Sequence, residues 1–120
     1  MNPKSRRQSY LWGHIAEYLC IILLLGKGYS ILARRYRNTS GEIDIIAARG
    51  SLIVFIEVKA RADRAAALLS VTPVKQQRVL RAASGYIASN AKYAHHGLRF
   101  DMMVVTSLLR IYHLKDAWRA

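Results

Sequence analysis

Four ionisable side chains sit where charge is expensive. Glu42, Asp44, Glu57 and Lys59 fall inside two runs rich in β-branched residues, Glu42 to Ala48 and Leu52 to Lys59, separated by Arg49-Gly50. Charge in such a stretch is costly unless it is paired, bound to a metal or left at a solvent-open edge. Two runs joined by a short glycine-containing link read as a β-hairpin, with Gly50 free to take positive φ. With Arg49 and Gly50 as the central turn residues, Asp44 faces Phe55 and Glu42 faces Glu57. Alternation then places Glu42, Asp44, Phe55, Glu57 and Lys59 on one side of the sheet, and Ile43, Ile45, Leu52, Val54, Ile56 and Val58 on the other. Facing carboxylates repel, and a shared divalent cation is the interaction that offsets this, with Lys59 as a second cation beside it. A two-residue slip of register keeps the arrangement, whereas a one-residue slip turns Asp44 away from Glu57. The structural alternative is an edge hairpin with a surface ion pair between Lys59 and a carboxylate.

Asp44, followed after twelve residues by Glu57-Val58-Lys59, resembles the PD-(D/E)XK nuclease motif. Gly41-Glu42-Ile43-Asp44 with Phe55-Ile56-Glu57-Val58-Lys59-Ala60-Arg61 resembles the YraN family, small bacterial proteins described as endonucleases and similar to archaeal Holliday-junction resolvases. The likeness runs from about Gly13 to Ala117 and takes in Glu17, Lys75-Gln76 and Arg99-Phe100-Asp101. It implies an α/β fold with a restriction-endonuclease-like core, a mixed β-sheet flanked by helices in the order α-β-β-β-α-β-β. It also implies Mg²⁺ or Mn²⁺ held by Asp44, Glu57, the backbone carbonyl of Val58 and Glu17, hard oxygen donors that suit those ions. Lys59 would position water or stabilise developing charge, and Lys75 with Gln76 would orient substrate or water. The expected function is metal-dependent hydrolysis of phosphodiester bonds in DNA, branched or junction structures included.

Composition agrees with an anionic partner. The 120 residues, enough for one domain, carry 19 Lys plus Arg against 7 Asp plus Glu, a net charge of +12. A chain this basic attracts polyanions, so nucleic acid or an anionic membrane surface leads the partners. The single Cys20 excludes an internal disulfide, reads as a small buried hydrophobe, and fits a reducing, cytoplasmic compartment. His14, His95, His96 and His113 show no zinc spacing with Cys20.

The elements that must position these groups follow in order. Residues 1–8 read as a flexible basic arm and 9–120 as a single nuclease-like domain. Ser9 is a candidate N-cap for a helix over Tyr10–Leu25, with Leu11, Ile15, Tyr18 or Leu19, and Ile22 toward the core. The eight apolar residues Tyr18–Leu25 are too few to span a bilayer, so no membrane insertion is expected. Pattern alone makes Glu17 a rim carboxylate, while the resemblance makes it part of a metal site.

Tyr29–Ala33 reads as the first strand, leading into a basic loop, Arg34-Arg35-Tyr36-Arg37-Asn38-Thr39-Ser40, in which YraN relatives often carry asparagine at the place of Arg35. Such a loop suits phosphate contact with base stacking, or is a solvated edge. Ala62–Ser70 is a helical turn or a loop over the site. Thr72-Pro73 marks a helix start, running to about Lys92 with Val79 or Leu80, Ala83, Tyr86 or Ile87, and Ala91 inward. Its first turns hold Lys75, Gln76, Gln77, Arg78 and Arg81, which oppose the macrodipole unless an anion binds there. Arg34, Arg35, Arg37, Arg61, Lys75 and Arg78 are thus the candidate nucleic-acid contacts. Arg99–Thr106 and Leu109–Leu114 read as strands, with Asp101 a satisfied strand-end carboxylate or a group supporting the site, and Trp118 packed by the tail. A nucleic-acid-binding module without cleavage explains the charge equally well but leaves the facing carboxylates without a reason. A peripheral membrane protein using the first helix makes no use of the hairpin. Symmetric cutting of a junction would demand a homodimer.

Overall fold

A single crossover shapes the sheet. The computed structural model describes residues 3–61, 63–107 and 110–118, with side chains from residue 11 onward. The elements are α1 (Pro3–Gly26), β1 (Ser30–Asn38), β2 (Gly41–Arg49), β3 (Leu52–Ala60), α2 (Arg64–Leu69), α3 (Pro73–Ser89), a 3₁₀ turn (Ala91–Tyr93), β4 (Gly97–Ser107) and β5 (Arg110–Trp118). Spatial order equals chain order, β1-β2-β3-β4-β5. Consecutive strands are antiparallel except β3 and β4, which run parallel because α2 and α3 carry the chain back between them. The result is a mixed sheet flanked by helices, as expected, with α2 as an added short helix.

Each face of the sheet has its own core. On the α3 side Ile43, Ile46, Ile53, Phe55, Phe100, Met102 and Val104 meet Val79, Ala82, Ala83 and Tyr86. On the α1 side Ile45, Ala47, Val54, Ile56, Met103 and Val105 meet Ala16, Cys20 and Leu24. The inward stripe of α1 therefore differs from the expected one. Leu11, Ile15, Tyr18 and Ile22 face outward, while Ala16, Cys20 and Leu24 are fully buried. Small side chains at 16 and 20 bring the helix backbone close to the sheet, where bulkier residues would hold it off. The helix also starts at Pro3, ahead of Ser9, and Met1 and Asn2 lie outside the described residues.

Further boundaries shift for local reasons. β1 continues through Arg34–Asn38, so the expected basic loop is strand, and Tyr36 meets Tyr86 edge-on at 5.1 Å instead of standing free to stack on a base. Asp63 caps α2 through Ala66 N–H, 2.7 Å away, which makes the 62–70 segment helical from Arg64; Ala62 lies outside the described residues. Thr72 Oγ1 accepts from Lys75 N–H with Pro73 behind it, as read from sequence. Leu109 lies outside the described residues, and β5 reaches Trp118, which stacks on Phe100.

Asp101 is a structural carboxylate. Fully buried on β4, it takes Arg99 Nε and Nη2 at 2.8 Å each, His113 Nε2 at 2.7 Å and the Asp116 N–H at 2.9 Å. Asp116 has φ 55°, and it lies where the β4–β5 register shifts between Phe100 and Met102. The carboxylate thus satisfies a backbone group that the bulge would otherwise strand. Burial alone would raise its pKa, but the hydrogen bonds from His113, Arg99 and Asp116 outweigh burial and hold it below the ordinary value. A depressed native pKa contributes stability that is present above the unfolded value near 3.9 and is lost as pH falls through the native one. Asp101→Asn should cost about 2–4 kcal/mol at neutral pH in urea denaturation. The gap between wild type and variant should narrow below about pH 4.

Candidate active site where the hairpin strands part

The β2–β3 ladder does not run the full length of the hairpin. It extends from Arg49↔Leu52 to Ile45↔Ile56 and stops, after which β2 stays with β1 and β3 stays with β4. The two-residue turn is Gly50-Ser51, not Arg49-Gly50, because Gly50 at φ 59° fills the first central position of a primed turn. Register is therefore two residues from the expected one, and continuing it puts Asp44 across from Glu57. Asp44 has no main-chain partner on β3. Its carboxylate Oδ2 accepts the Val58 N–H at 2.8 Å, so a side chain occupies the place of the next ladder bond.

Alternation also breaks at this point. Ile43 packs on the α3 side with Phe55, whereas Ile45, Leu52, Val54, Ile56 and Val58 lie on the α1 side. Ile43 was expected among the latter. Beside the break, Arg35 of β1 has φ 49°, the left-handed region that asparagine enters more readily than other non-glycine residues.

Where the strands part, two recesses meet, and both are lined by Glu42 and Asp44. The larger, about 440 Å³, lies toward α3 and adds Glu57, Arg37, Asn38, Lys75 and Arg78. The smaller, about 280 Å³, lies toward α1 and adds His14, Glu17, Arg35, Val58 and Ala60. Glu57 pairs with Lys59 Nζ at 3.0 Å; Glu57 lines the larger recess, and Lys59 is not among the residues lining either. Glu17 is buried; Arg35 Nε approaches its Oε2 at 3.3 Å and Arg34 Nε its Oε1 at 3.6 Å. Among the described residues Glu17 Oε1 has no hydrogen-bond partner.

Carboxylates crowd one another here. Burial first, then the charge of Glu57, push Asp44 up to about 7, against the opposing pull of the Val58 N–H. Glu17 is raised chiefly by burial, with Arg34 opposing. Burial, Asp44 and Glu17 together push the Cys20 thiol up to about 12, which leaves it inert. The surplus of acceptors suits a hard cation, although among the described residues no three His, Cys, Asp or Glu side chains stand close enough to cage one by themselves.

The remaining candidates divide. Lys75, Arg78 and Arg37 line the larger recess, although Arg37 is also paired with Glu42 at 3.1 Å. Arg34 lies over the Tyr18 ring and Arg61 bends back to the Ala60 carbonyl. The Gln76 amide donates to the Val71 carbonyl at 3.3 Å, bracing the link between α2 and α3, and Gln76 is not among the residues lining either recess. Asn38 had not been singled out. Its Oδ1 accepts from Ser40 and Gly41 N–H, and its amide reaches the Ala82 carbonyl, so the lip of the cleft is tied to α3. An Asn followed three residues later by Gly was the available signal for that turn.

A carboxylate whose native pKa lies above its ordinary 3.8 loses stability as pH rises from about 4 to about 7, where the unfolded chain is already ionised. Asp44→Asn should remove that loss. In EDTA at pH 8 the variant should be more stable than wild type by about 1–3 kcal/mol, and the difference should fade toward pH 4 in a pH series of thermal melts. Gly85 sets the other side of the lip: an added Cβ would stand 2.8 Å from Asn38 Nδ2. Gly85→Ala should therefore lower stability by about 1–3 kcal/mol in the same melts, although alanine is the better helix former.

Comparison with known proteins places the chain. The model of the uncharacterised protein family UPF0102 matches residues 16–105, a span that holds Glu17, the hairpin and α3. A UPF0102 protein of Bradyrhizobium diazoefficiens is 47% identical over 116 residues, covering 97% of this chain and 87% of its own. One of Maricaulis maris is 44% identical over 115 residues, covering 96% of this chain and 91% of its own. In the described residues no helix is long and apolar enough to cross a membrane. With the family model matching most of the chain, and relatives alike almost end to end, the chain belongs to UPF0102, the family to which the YraN-like hairpin pointed.

Proposed function

We propose that this protein is a metal-dependent nuclease with a restriction-endonuclease-like core, hydrolysing phosphodiester bonds in DNA, branched or junction structures included. The observation that carries the reading is the meeting of Asp44 and Glu57 in one cleft whose opposite wall is Lys75 and Arg78. Carboxylates on one side and cations on the other are what a phosphate diester and its counterion need. Asp44 and Glu57, with the main chain at Val58, would hold Mg²⁺ or Mn²⁺, and Glu17 would reach it directly or through water. The raised Asp44 pKa supports a set of acceptors short of a cation, while Glu17, paired with Arg35 at 3.3 Å and Arg34 at 3.6 Å, would exchange a guanidinium for the ion. The ion, when bound, supplies Lewis acidity and a more acidic water.

The chain's own residues do the rest. Lys59, paired with Glu57 at 3.0 Å, would orient the attacking water or meet charge growing on the phosphate. Lys75 and Arg78 neutralise the backbone phosphates entering the cleft. Such contacts position the strand without reading its bases, which fits recognition of shape.

Cleavage of branched, flapped and single-stranded DNA with Mg²⁺ or Mn²⁺ tests the proposal. Asp44→Ala and Lys59→Ala should each lower the rate by about 100-fold or more. Equal cleavage by all three proteins would mean a contaminating nuclease. Titration calorimetry with Mn²⁺ separates the non-cleaving binding module, which predicts no heat that depends on Asp44 and Glu57. Lys75→Ala should weaken DNA binding at every sequence and reduce the slope of log K against log salt by about 1.

A further inference from the structure

The outward face of α1 carries five of the large apolar side chains that the fold leaves exposed: Leu11, Ile15, Tyr18, Ile22 and Leu25, each 44–66% accessible. Their spacing is four, three, four, three, which draws a straight seam down four turns of helix. Read backwards, the residue types are the same, Leu-Ile-Tyr-Ile-Leu, with Tyr18 midway between Leu11 and Leu25 and the two isoleucines offset by one residue. A surface that reads alike in both directions is complementary to itself about a two-fold axis.

We infer that α1 is the interface of a homodimer, in which a second copy lays its own α1 antiparallel across this seam. Tyr18 then meets its symmetry mate, Leu11 meets Leu25 of the other copy, and Ile15 meets Ile22. The exposed parts of the five side chains come to roughly 500 Å² per copy, the upper range for an apolar patch on a monomer. Fully covered, the seam would bury about 1,000 Å² between two copies, the size at which a specific interface begins. Charge permits the same occupant. At a net charge of +12 two copies repel, but between Leu11 and Gly26 the helix itself has no lysine or arginine, and Arg34, which lies over the Tyr18 ring at 4.5 Å, is shared with Glu17 on the cleft side. An amphipathic helix lying on lipid would carry cations along its whole polar face, whereas here the face opposite the seam is the apolar Ala16, Cys20 and Leu24 stripe against the sheet, and the helix's own cations, Lys4, Arg6 and Arg7, are confined to its first turns. The axis passes next to Glu17, so both clefts lie near the dimer centre.

Sedimentation velocity of the full chain across a concentration series tests this. Wild type should reach a dimer, and Ile22→Glu should weaken association about 100-fold or more, since two carboxylates would enter the seam. Circular dichroism and the melting temperature of that variant should stay close to wild type, because Ile22 is already two-thirds exposed. Tyr18→Cys should cross-link to itself on oxidation, and Leu11→Cys should cross-link to Leu25→Cys but not to itself; Cys20, fully buried, does not compete. A wild type monomeric at every concentration would overturn the inference, as would a dimer indifferent to Ile22→Glu. So would a monomeric wild type that binds vesicles of anionic lipid through Ile22.

Discussion

The site depends on one substitution of partners: the Asp44 carboxylate stands where a backbone carbonyl would continue the β2–β3 ladder. An ordinary hairpin would pair Asp44 and Glu57 through the main chain and leave their side chains flush with the sheet. Here the Val58 N–H is satisfied from the side, so β2 can follow β1 and β3 can follow β4. The gap between them becomes a cleft. Because that hydrogen bond favours the ionised form, it partly offsets the burial and the repulsion that raise Asp44. A buried N–H therefore has its partner while an acid is left poised near neutrality.

Two cores hold this opening fixed. Ile43 and Phe55 anchor one side under α3, and Ile45, Ile56 and Val58 anchor the other under α1. The change of face between Ile43 and Ile45 means that the strand is gripped from both sides across the residue that matters. Arg35, in the left-handed region next to it, accommodates the twist and places a guanidinium on Glu17. The strain of a non-glycine residue there is of order 1 kcal/mol, and the ion pair to a buried carboxylate offsets it.

Much of this could be read in the residues. The hairpin, the parallel crossover, the Thr72-Pro73 start and the grouping of Asp44 with Glu57 follow from periodicity and turn chemistry. The register did not, because Arg49-Gly50 and Gly50-Ser51 are both acceptable turns, and only packing of both faces selects between them. The face of α1 was inverted for a related reason. From Tyr18 to Leu25 that helix is apolar all round, so a hydrophobic stripe cannot say which side meets the sheet; side-chain size decides, through Ala16 and Cys20. Tyr36 was assigned to a loop because the arginines around it mask an alternating strand.

The crossover between Ala60 and Gly97 also orders events in time. The acidic wall of the cleft comes from Glu17 through Glu57, largely from a hairpin whose contacts are close in sequence, while Lys75 and Arg78 arrive with the helix that must close a long loop before β4 can pair. Local ribbons form ahead of distant parallel pairing. Glu17, Glu42 and Glu57 thus meet cations of the chain's own first half, and only the Lys75 and Arg78 wall waits on the crossover and so on the rate at which this small protein completes itself.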